Sequence, residues 1–486
     1  MCWATRVWGR RAFISVGCYT KSRQNRKYVL FLTRLCAAGD RHKKQAGACN
    51  SLASRICCAK NGELVLHSLS IYDRMTYNSL LCLCKVCFFN TIIDNLLNLQ
   101  QKGAEGLGWL RMKVVINALQ YKQNSSGIGV MLRELFGQYT NITSRCCQVI
   151  VPNDGVGFPA ASSAEIICLP WAHSQNLRRM LFQTIILGRK YCENSILLTT
   201  DSKIPFFVPR NCVVISVITD LAVYRLRETY QLSRVLWWRL QYKYVCRRAN
   251  QFVAISEFTK QEMIEILHIP PEKIEIIPCA CACAFHRKAD QKGLAGLRRS
   301  YDLPEQYILF VGNFNPRKNL ERLIKAFDLA KDRGGISHQL VIAGEQGWKF
   351  DKHAVLKDVR HKEDIRFIGF VPDSDMSMLY SAADLFAFPT LYEGFGIPVI
   401  EAQRCGTPVL TSCCSALPEV GGNAAIYVNP YDVEDIARGM LQVLQDLALS
   451  KKLSVEGRKN AERFSWQESA CKLDKLVERT AKRMSD

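Results

Sequence analysis

Asp384-Leu-Phe-Ala-Phe388 and the residues after it, Pro389-Thr-Leu-Tyr-Glu-Gly-Phe-Gly-Ile-Pro-Val-Ile-Glu401, decide how this chain reads. The apolar run has the pattern of a buried parallel strand. Gly394 and Gly396 allow a tight turn whose backbone can approach a ligand closely. Pro398 suits a first helical turn, where the N–H it lacks would have no partner anyway. Strand, glycine turn and helix thus follow in order, and free N–H groups at such a helix start suit an anion or sugar hydroxyls. Glu393 falls in the turn and Glu401 about one helical turn in. Two readings stand for the pair. Either both carboxylates lie along a ligand, or one is a first-turn acid favoured by the helix dipole and the other a solvated helix residue.

The flanking sequence repeats the arrangement. Tyr307-Ile-Leu-Phe-Val-Gly312 reads as a buried strand, and Leu320, Leu323, Ile324 and Phe327 follow at helical spacing. Arg317 and Lys318 fall between them, beside the Gly312 turn, where two cations suit a diphosphate or, standing alone, plain solvation. Gln339–Gly344 and Ile365–Phe370 are further strands. Asp373-Ser-Asp375 precedes a helix expected over Met376 to Ala383 and reads as its cap rather than a metal site. Further helices are expected over Val433 to Leu447, Leu449 to Phe464 and Glu468 to Arg483.

The first half alternates in the same way from Met112. Strands are expected at Lys113–Ala118, Gln148–Val151, Val213–Val217, Phe252–Ile255 and within Pro270–Pro278. Helices are expected at Val130–Tyr139, Asn176–Leu187, Ser233–Arg248 and Ser256–Leu267. Strands alternating with helices indicate parallel, doubly wound α/β sheets. Gly127 and Gly129 open the first helix in a loop that is either an anion cradle or a plain turn. Asp220 ends a strand at its carboxyl edge, where such sheets bind ligands and where an Asp also serves as a helix cap. Trp237, Leu240, Tyr244 and Arg248 read as a core stripe with a cationic rim, the alternative being a face toward anionic lipid. Cys279-Ala-Cys-Ala-Cys283 has no second ligand cluster to complete a metal site.

Glu393-Gly-Phe-Gly-Ile-Pro-Val-Ile-Glu401 resembles the Glu-x7-Glu signature of retaining, nucleotide-sugar-dependent glycosyltransferases of the GT-B fold, the glycogen-synthase-like group. The resemblance continues into Ala402, Cys405-Gly-Thr-Pro-Val409 and Ser415-Ala-Leu-Pro-Glu-Val420. It also covers Phe310-Val-Gly-Asn-Phe-Asn-Pro-Arg-Lys-Asn-Leu320. It is densest over Tyr307 to Phe464, thinner over Met112 to Pro278 and absent before Arg111. It implies two Rossmann-like domains facing across a cleft. The acceptor-side domain would span 112–284, a linker 285–300, the nucleotide-sugar domain 301–465, and a last helix over 466–486 would cross back to the first. It implies Glu393 on the donor sugar, Glu401 on the ribose, and Arg317 and Lys318 on the diphosphate, with Asp220 a further catalytic candidate. Phe370 and Val371 would frame the base. Gly127, Gly129, Gly312, Gly394, Phe395 and Gly396 would supply backbone contacts. No metal and no cofactor beyond the co-substrate sugar nucleotide are implied. The partners implied are that donor and a saccharide or lipid-linked acceptor, with a peripheral contact to an anionic membrane and no nucleic acid. A cytoplasmic setting at the inner face of the plasma membrane follows by analogy. Two departures stand out. Thr219 occupies the usual histidine place, and Asn313 follows the glycine where many relatives carry arginine. The rivals are glycoside hydrolysis by Glu393 and Glu401, and a catalytically silent homologue that binds nucleic acid or lipid through its basic face.

The length of 486 residues accommodates two or three domains, and with 48% apolar residues the composition is globular. The formal charge of +21 is uneven. Residues 1–110 hold 16 Lys and Arg against 5 acids, a net of +11, whereas residues 112–486 hold 48 against 39, a net of +9. The first 110 residues also carry 9 of the 22 cysteines and no sustained period. They resemble a transit peptide in charge, and Leu80–Leu97 is an apolar stretch interrupted by Lys85, Asn90 and Asp94. The thirteen later cysteines, without a regular framework, suit a reducing compartment. A chain beginning at Met112 is therefore expected to fold and to keep its turnover. A stability loss above about 2 kcal/mol in denaturant unfolding would make residues 1–111 part of the fold.

Overall fold

The computed structural model describes residues 59–60, 63–64, 112–121, 127–152, 157–169, 176–201, 203–287, 290–347 and 350–483. Within residues 1–98 the described part is an antiparallel pair, β1 (Ala59–Lys60) and β2 (Glu63–Leu64). The expectations for the rest of 1–111, including Leu80–Leu97, and for the loop 122–126 lie outside the described residues.

From Leu99 onward the chain builds two sheets. The first has seven parallel strands: β3 (Lys113–Asn117), β4 (Cys147–Pro152), β5 (Glu165–Leu169), β6 (Ser195–Thr200), β7 (Val213–Ile218), β8 (Gln251–Ala254) and β9 (Ile274–Ile276). Their order is β5-β4-β3-β6-β7-β8-β9. The second has six, β10 (Tyr307–Val311), β11 (Gln339–Ala343), β12 (Ile365–Gly369), β13 (Leu385–Phe388), β14 (Val409–Ser412) and β15 (Ile426–Val428). Their order is β12-β11-β10-β13-β14-β15, again all parallel. Central strands such as β6 and β7 are buried along their whole length, as expected where helices cover both faces of a parallel sheet. In each sheet the chain winds outward from its first strand and then returns to that strand's other side. The reversal points lie between β3 and β6 and between β10 and β13, and such switch points are where open α/β sheets take ligands.

Four local expectations are corrected. Residues 285–300 are not a bare linker, because Gln291–Tyr301 is a helix capped by Asp290, whose carboxylate accepts the Lys292 N–H at 3.1 Å. The helix expected at Met376 begins at Asp373, with Pro372 at its N-cap. The two aspartates sit in its first turn, Asp373 pairing with Arg133 at 2.9 Å and Asp375 accepting from Tyr301 Oη at 2.9 Å. The helices Ile128–Met131 and Gly137–Ile142 are joined through a π-helical turn, Leu132–Phe136. Finally, helix Leu232–Arg248 is rotated from the expected stripe. Val235, Gln241, Tyr242 and Val245 are its buried side, while Trp237 and Leu240 face solvent. Tyr242 wins the inward place because its hydroxyl reaches the Asp220 carbonyl at 3.3 Å from a fully buried ring.

The two sheets meet through backbone as well as side chains. A Cβ on Gly394 would lie 1.9 Å from the Thr219 carbonyl oxygen, so only glycine lets this turn reach the end of β7. The Gly394 carbonyl accepts Ser256 Oγ at 2.7 Å and Thr259 Oγ1 at 3.1 Å, both from the other sheet's side. The last helix, Trp466–Arg483, belongs to the same junction: Ser469 Oγ donates to the Pro278 carbonyl at 2.7 Å, and Arg479 pairs with Glu275 at 2.9 Å. Gly394→Ala is expected to cost about 2–3 kcal/mol by overpacking this contact. Urea unfolding checks it, and a change under about 0.5 kcal/mol, typical of unconstrained surface sites, would show that the approach is not tight.

Candidate active site

Four charged side chains converge from loops at strand carboxyl ends. Arg317 and Lys318 follow β10 in a single 3₁₀ turn, Pro316–Lys318, which ends at Asn319 in the left-handed conformation. Asn319 fixes that turn by donating to the carbonyls of Pro389 and Pro430 at 2.8 and 2.6 Å. Glu393 comes from the turn after β13, its N–H held by Ser415 Oγ at 3.1 Å. Asp220 comes from the end of β7 in the other sheet. Lys318 Nζ lies 2.8 Å from Glu393 Oε1, and Arg317 Nη1 lies 3.2 Å from Asp220 Oδ2 and 3.9 Å from Glu393 Oε2. Asp220 is not the helix cap it was read as, since Leu221 is the N-cap of helix Ala222–Arg225, but its Oδ1 accepts the Ala222 N–H at 3.1 Å and so braces the start of that turn.

The electrostatics follow from burial and pairing. Burial pushes Glu393 up, but the Arg317 and Lys318 charges outweigh it and hold the carboxyl below its usual range. Burial pushes Lys318 down more than Glu393 restores it, so the ammonium is held less firmly than a surface lysine. Burial also opposes the Arg317 charge, yet Glu393 and Asp220 more than compensate and raise it. Lys318 Nζ also stands 4.7 Å above the Phe388 ring, a second source of stabilisation for a partly desolvated cation. The arrangement is two fixed positive charges at a switch point, each balanced by a carboxylate.

The remaining residues singled out in the sequence divide. Gly312, at φ 151°, lies beside this cluster, with its Cβ direction 3.6 Å from Lys318 Cε. Gly396, at φ 103°, is the N-cap of helix Ile397–Arg404. Phe395 turns its ring into the core against Phe464, so only its backbone is available to a ligand. Phe370 is exposed after β12, whereas Val371 is a core side chain. Gly127, at φ 63°, caps the helix after β3, and Gly129 is buried within its first turn; both belong to the other sheet's switch point. Glu401 is neither solvated nor in the ionic cluster. It is buried, with Tyr380 Oη donating to it at 3.0 Å. Glu393 and Glu401 therefore occupy separate environments. Cys279 and Cys281 are core thiols and Cys283 is exposed, and among the described residues no group of three or more His, Cys, Asp or Glu side chains is placed to hold a metal.

Several contacts escape sequence reading because the partners are not neighbours along the chain. Tyr392 Oη accepts the Leu221 N–H at 3.1 Å and donates to Glu262, which Arg225 also holds at 2.7 Å. Thr219, in the expected histidine place, gives its hydroxyl and its N–H to Asp201 Oδ1 at 2.7 and 2.9 Å. Burial pushes the Asp201 carboxyl up to about 6 against those bonds.

Burial likewise raises Glu401 from 4.5 to about 7, opposed by the Tyr380 bond. The folded chain therefore keeps a proton that the unfolded chain releases. This group's stabilising share is full below about pH 4.5 and is lost as pH rises through about 7. Glu401→Gln, which can still accept from Tyr380, should remove that slope. Its stability relative to the parent should rise by up to about 3 kcal/mol between about pH 5 and pH 8. Urea unfolding of both chains at the two pH values checks this, and parallel pH dependences would overturn it.

The model of the family "Glycosyl transferases group 1" matches residues 298–460, and that of "Glycosyltransferase Family 4" matches residues 211–284. O-antigen chain mannosyltransferase B of Escherichia coli is 31% identical over 265 residues, 54% of this chain and 69% of that protein. The serotype-specific mannosyltransferase WbdA of Escherichia coli is 34% identical over 231 residues, 46% of this chain but 28% of that protein. Among solved structures, Anabaena HepE in complex with UDP-glucose superposes with a TM-score of 0.60 at 14% identity, covering 76% of this chain and 99% of that one. At that identity the likeness speaks for the fold alone, the two facing Rossmann-like domains of GT-B glycosyltransferases. Two family models in the order of the two sheets, and a relative covered over most of its length, make this chain a member of the glycosyl transferases group 1 family.

Proposed function

We propose that the chain is a retaining transferase that moves a hexosyl unit, mannosyl by its relatives, from a nucleoside diphosphate sugar to a saccharide or lipid-linked acceptor. The observation that carries this is the Arg317–Lys318 pair held at the β10/β13 switch point against Glu393 and Asp220. A departing nucleoside diphosphate gathers negative charge on its terminal phosphate, and two preorganised cations there stabilise that charge more in the transition state than before it. Supporting the sugar are the two Escherichia coli relatives named as mannosyltransferases. Supporting the donor class is the UDP-glucose complex of the HepE neighbour.

In the proposed step the bond from the sugar's anomeric carbon to the phosphate oxygen breaks as the acceptor hydroxyl attacks on the same face. The acceptor proton passes to the leaving phosphate oxygen, so no protein nucleophile is needed. Glu393 contacts the donor sugar, and the N–H groups of Gly394, Phe395 and Gly396 hold sugar and phosphate at the helix start. Arg317 and Lys318 supply the charge in this scheme, and no step passes through a metal. Glu401 takes the ribose hydroxyls, Phe370 and the Val371 backbone frame the base, and the Gly127–Gly129 turn faces the acceptor.

Incubation with a panel of nucleoside diphosphate sugars should release nucleotide from one of them when an acceptor is present. Lys318→Ala should cut that turnover by roughly 10² or more, the scale for losing one preorganised charge donor. Unchanged turnover at saturating donor would remove the diphosphate assignment, and no release from any donor would remove the transferase reading.

A further inference from the structure

The peptide joining Asp220 to Leu221 is held at both of its polar ends by tyrosine hydroxyls. Tyr242 Oη, from helix Leu232–Arg248 beside the same sheet, donates to its carbonyl at 3.3 Å. Tyr392 Oη, from the turn after β13 in the other sheet, accepts its N–H at 3.1 Å. Tyr242, Tyr392 and Leu221 are all buried, so bulk water does not compete for either bond. A peptide plane pinned at its carbonyl and at its N–H has little freedom to rotate. Asp220 stands at one edge of that plane and is oriented with it.

Tyr392 is itself fixed. A hydroxyl has one proton to give, and Tyr392 gives it to Glu262 of helix Glu257–Leu267. The other oxygen of that carboxylate takes Arg225 Nε at 2.7 Å. The Tyr392 ring stands edge-on to Phe258 at 5.6 Å and packs with Ala222, Leu226 and Leu391 in a small apolar cluster drawn from the loops of both sheets. The start of the same helix is gripped from the second sheet's side at two further points. One is the Gly394 carbonyl, which takes Ser256 and Thr259. The other is the Glu419 carboxylate, which accepts the Glu257 and Phe258 N–H groups at 2.9 and 3.2 Å. The hydroxyl of Tyr392 therefore sits inside a docked patch, with its direction set on every side.

Its place in the chain gives that bond its consequence. Tyr392 precedes Glu393, Leu221 follows Asp220, and Glu393 and Asp220 are the two carboxylates that stand against Arg317. One hydroxyl thus ties together the two segments that carry them. Lys318 does not depend on that tie, because Glu393 and Phe388 hold it from within its own sheet. We propose that Tyr392 is a positioning residue: its hydroxyl sets the spacing of Asp220 and Glu393 across the cleft and so holds the Arg317 guanidinium where a departing diphosphate gathers charge. The proposal rests on the transferase reading for the diphosphate, whereas the spacing itself is testable without turnover.

The test is calorimetric titration of the full chain with inorganic pyrophosphate, which carries the leaving group's charge in full. The parent should bind it. Tyr392→Phe, which keeps the ring packed on Phe258, should weaken binding by about tenfold, the scale on which a misplaced charge donor is felt. In an Arg317→Ala chain, which still has Lys318, the same substitution should add less than about twofold, since two changes that act through one group do not add. A parent that binds no pyrophosphate, or a Tyr392→Phe chain that binds within about twofold of the parent, would overturn the proposal. An equal loss in both backgrounds, which is what a merely structural contact gives, would overturn it too. With a donor that is turned over, Tyr392→Phe should lower kcat about tenfold and move donor KM less than about twofold, because Arg317 meets charge that develops as the bond breaks. A raised KM at unchanged kcat would count against the positioning role. No turnover from any donor, with the pyrophosphate results intact, would remove the transferase reading and leave the spacing role standing, so the two failures are told apart.

Discussion

A lysine and an arginine partly withdrawn from water cost several kcal/mol each unless opposite charges stand against them. Here Glu393 faces Lys318 at 2.8 Å and Asp220 faces Arg317 at 3.2 Å. Such a quartet contributes little net stability over apolar residues of the same size, because attraction and desolvation nearly cancel. What it does impose is geometry. Removing any one member leaves a charge without its partner, so the four positions are fixed relative to one another. Because Asp220 belongs to the first sheet and the other three to the second, the quartet also sets how the two sheets face each other.

The backbone makes that constraint possible. Both cations sit on one 3₁₀ turn, and Asn319, in the left-handed conformation, ties the turn to the carbonyls of Pro389 and Pro430. The Leu391 N–H donates to the Arg317 carbonyl at 2.8 Å, joining the loops after β10 and β13 directly. Gly394 then passes close enough to Thr219 that no side chain fits. The loops after β10 and β13 are thus tied by one main-chain bond and the Asn319 amide, and the turn at Gly394 packs against the end of β7, so uncharged contacts already set the positions that electrostatic preorganisation requires.

Much of this is local and therefore legible in the sequence. The buried runs of β10 and β13, the glycine turn at Gly394 and Gly396 and the paired cations each announce themselves within about ten residues. That a helix begins at Ser256 is legible too, but not that the Ser256 hydroxyl holds Gly394 from 138 positions away. The edge strands β5 and β15 are partly exposed and lack the buried pattern of their neighbours, whereas β6 and β14 carry that pattern in full. Helix Leu232–Arg248 misleads for a physical reason. It carries aromatic or aliphatic residues on more than one face, and periodicity alone does not say which face is covered. Only the fold, by seating Tyr242 against Asp220, leaves Trp237 and Leu240 outside.

Thr219 shows how one substitution changes what a site can offer. A hydroxyl has one proton to donate, and Thr219 gives it to Asp201. Asp201 is itself fixed, its N–H donating to Val217 at 2.6 Å and its carbonyl accepting from Ser216 at 2.9 Å. Thr219 therefore meets a ligand only as an acceptor, where a histidine ring could reach farther and donate. In the proposed scheme, donation to a sugar hydroxyl at this end of the cleft falls to the main-chain N–H groups of the turn at Gly394 and to Arg317 and Lys318. Asp201, with its carboxyl raised to about 6 by burial, adds a charge next to Asp220 that grows as pH climbs through that value. The stretch that departs from the histidine pattern is thus coupled, through Asp201 and Asp220, to the residue that would grip the leaving group.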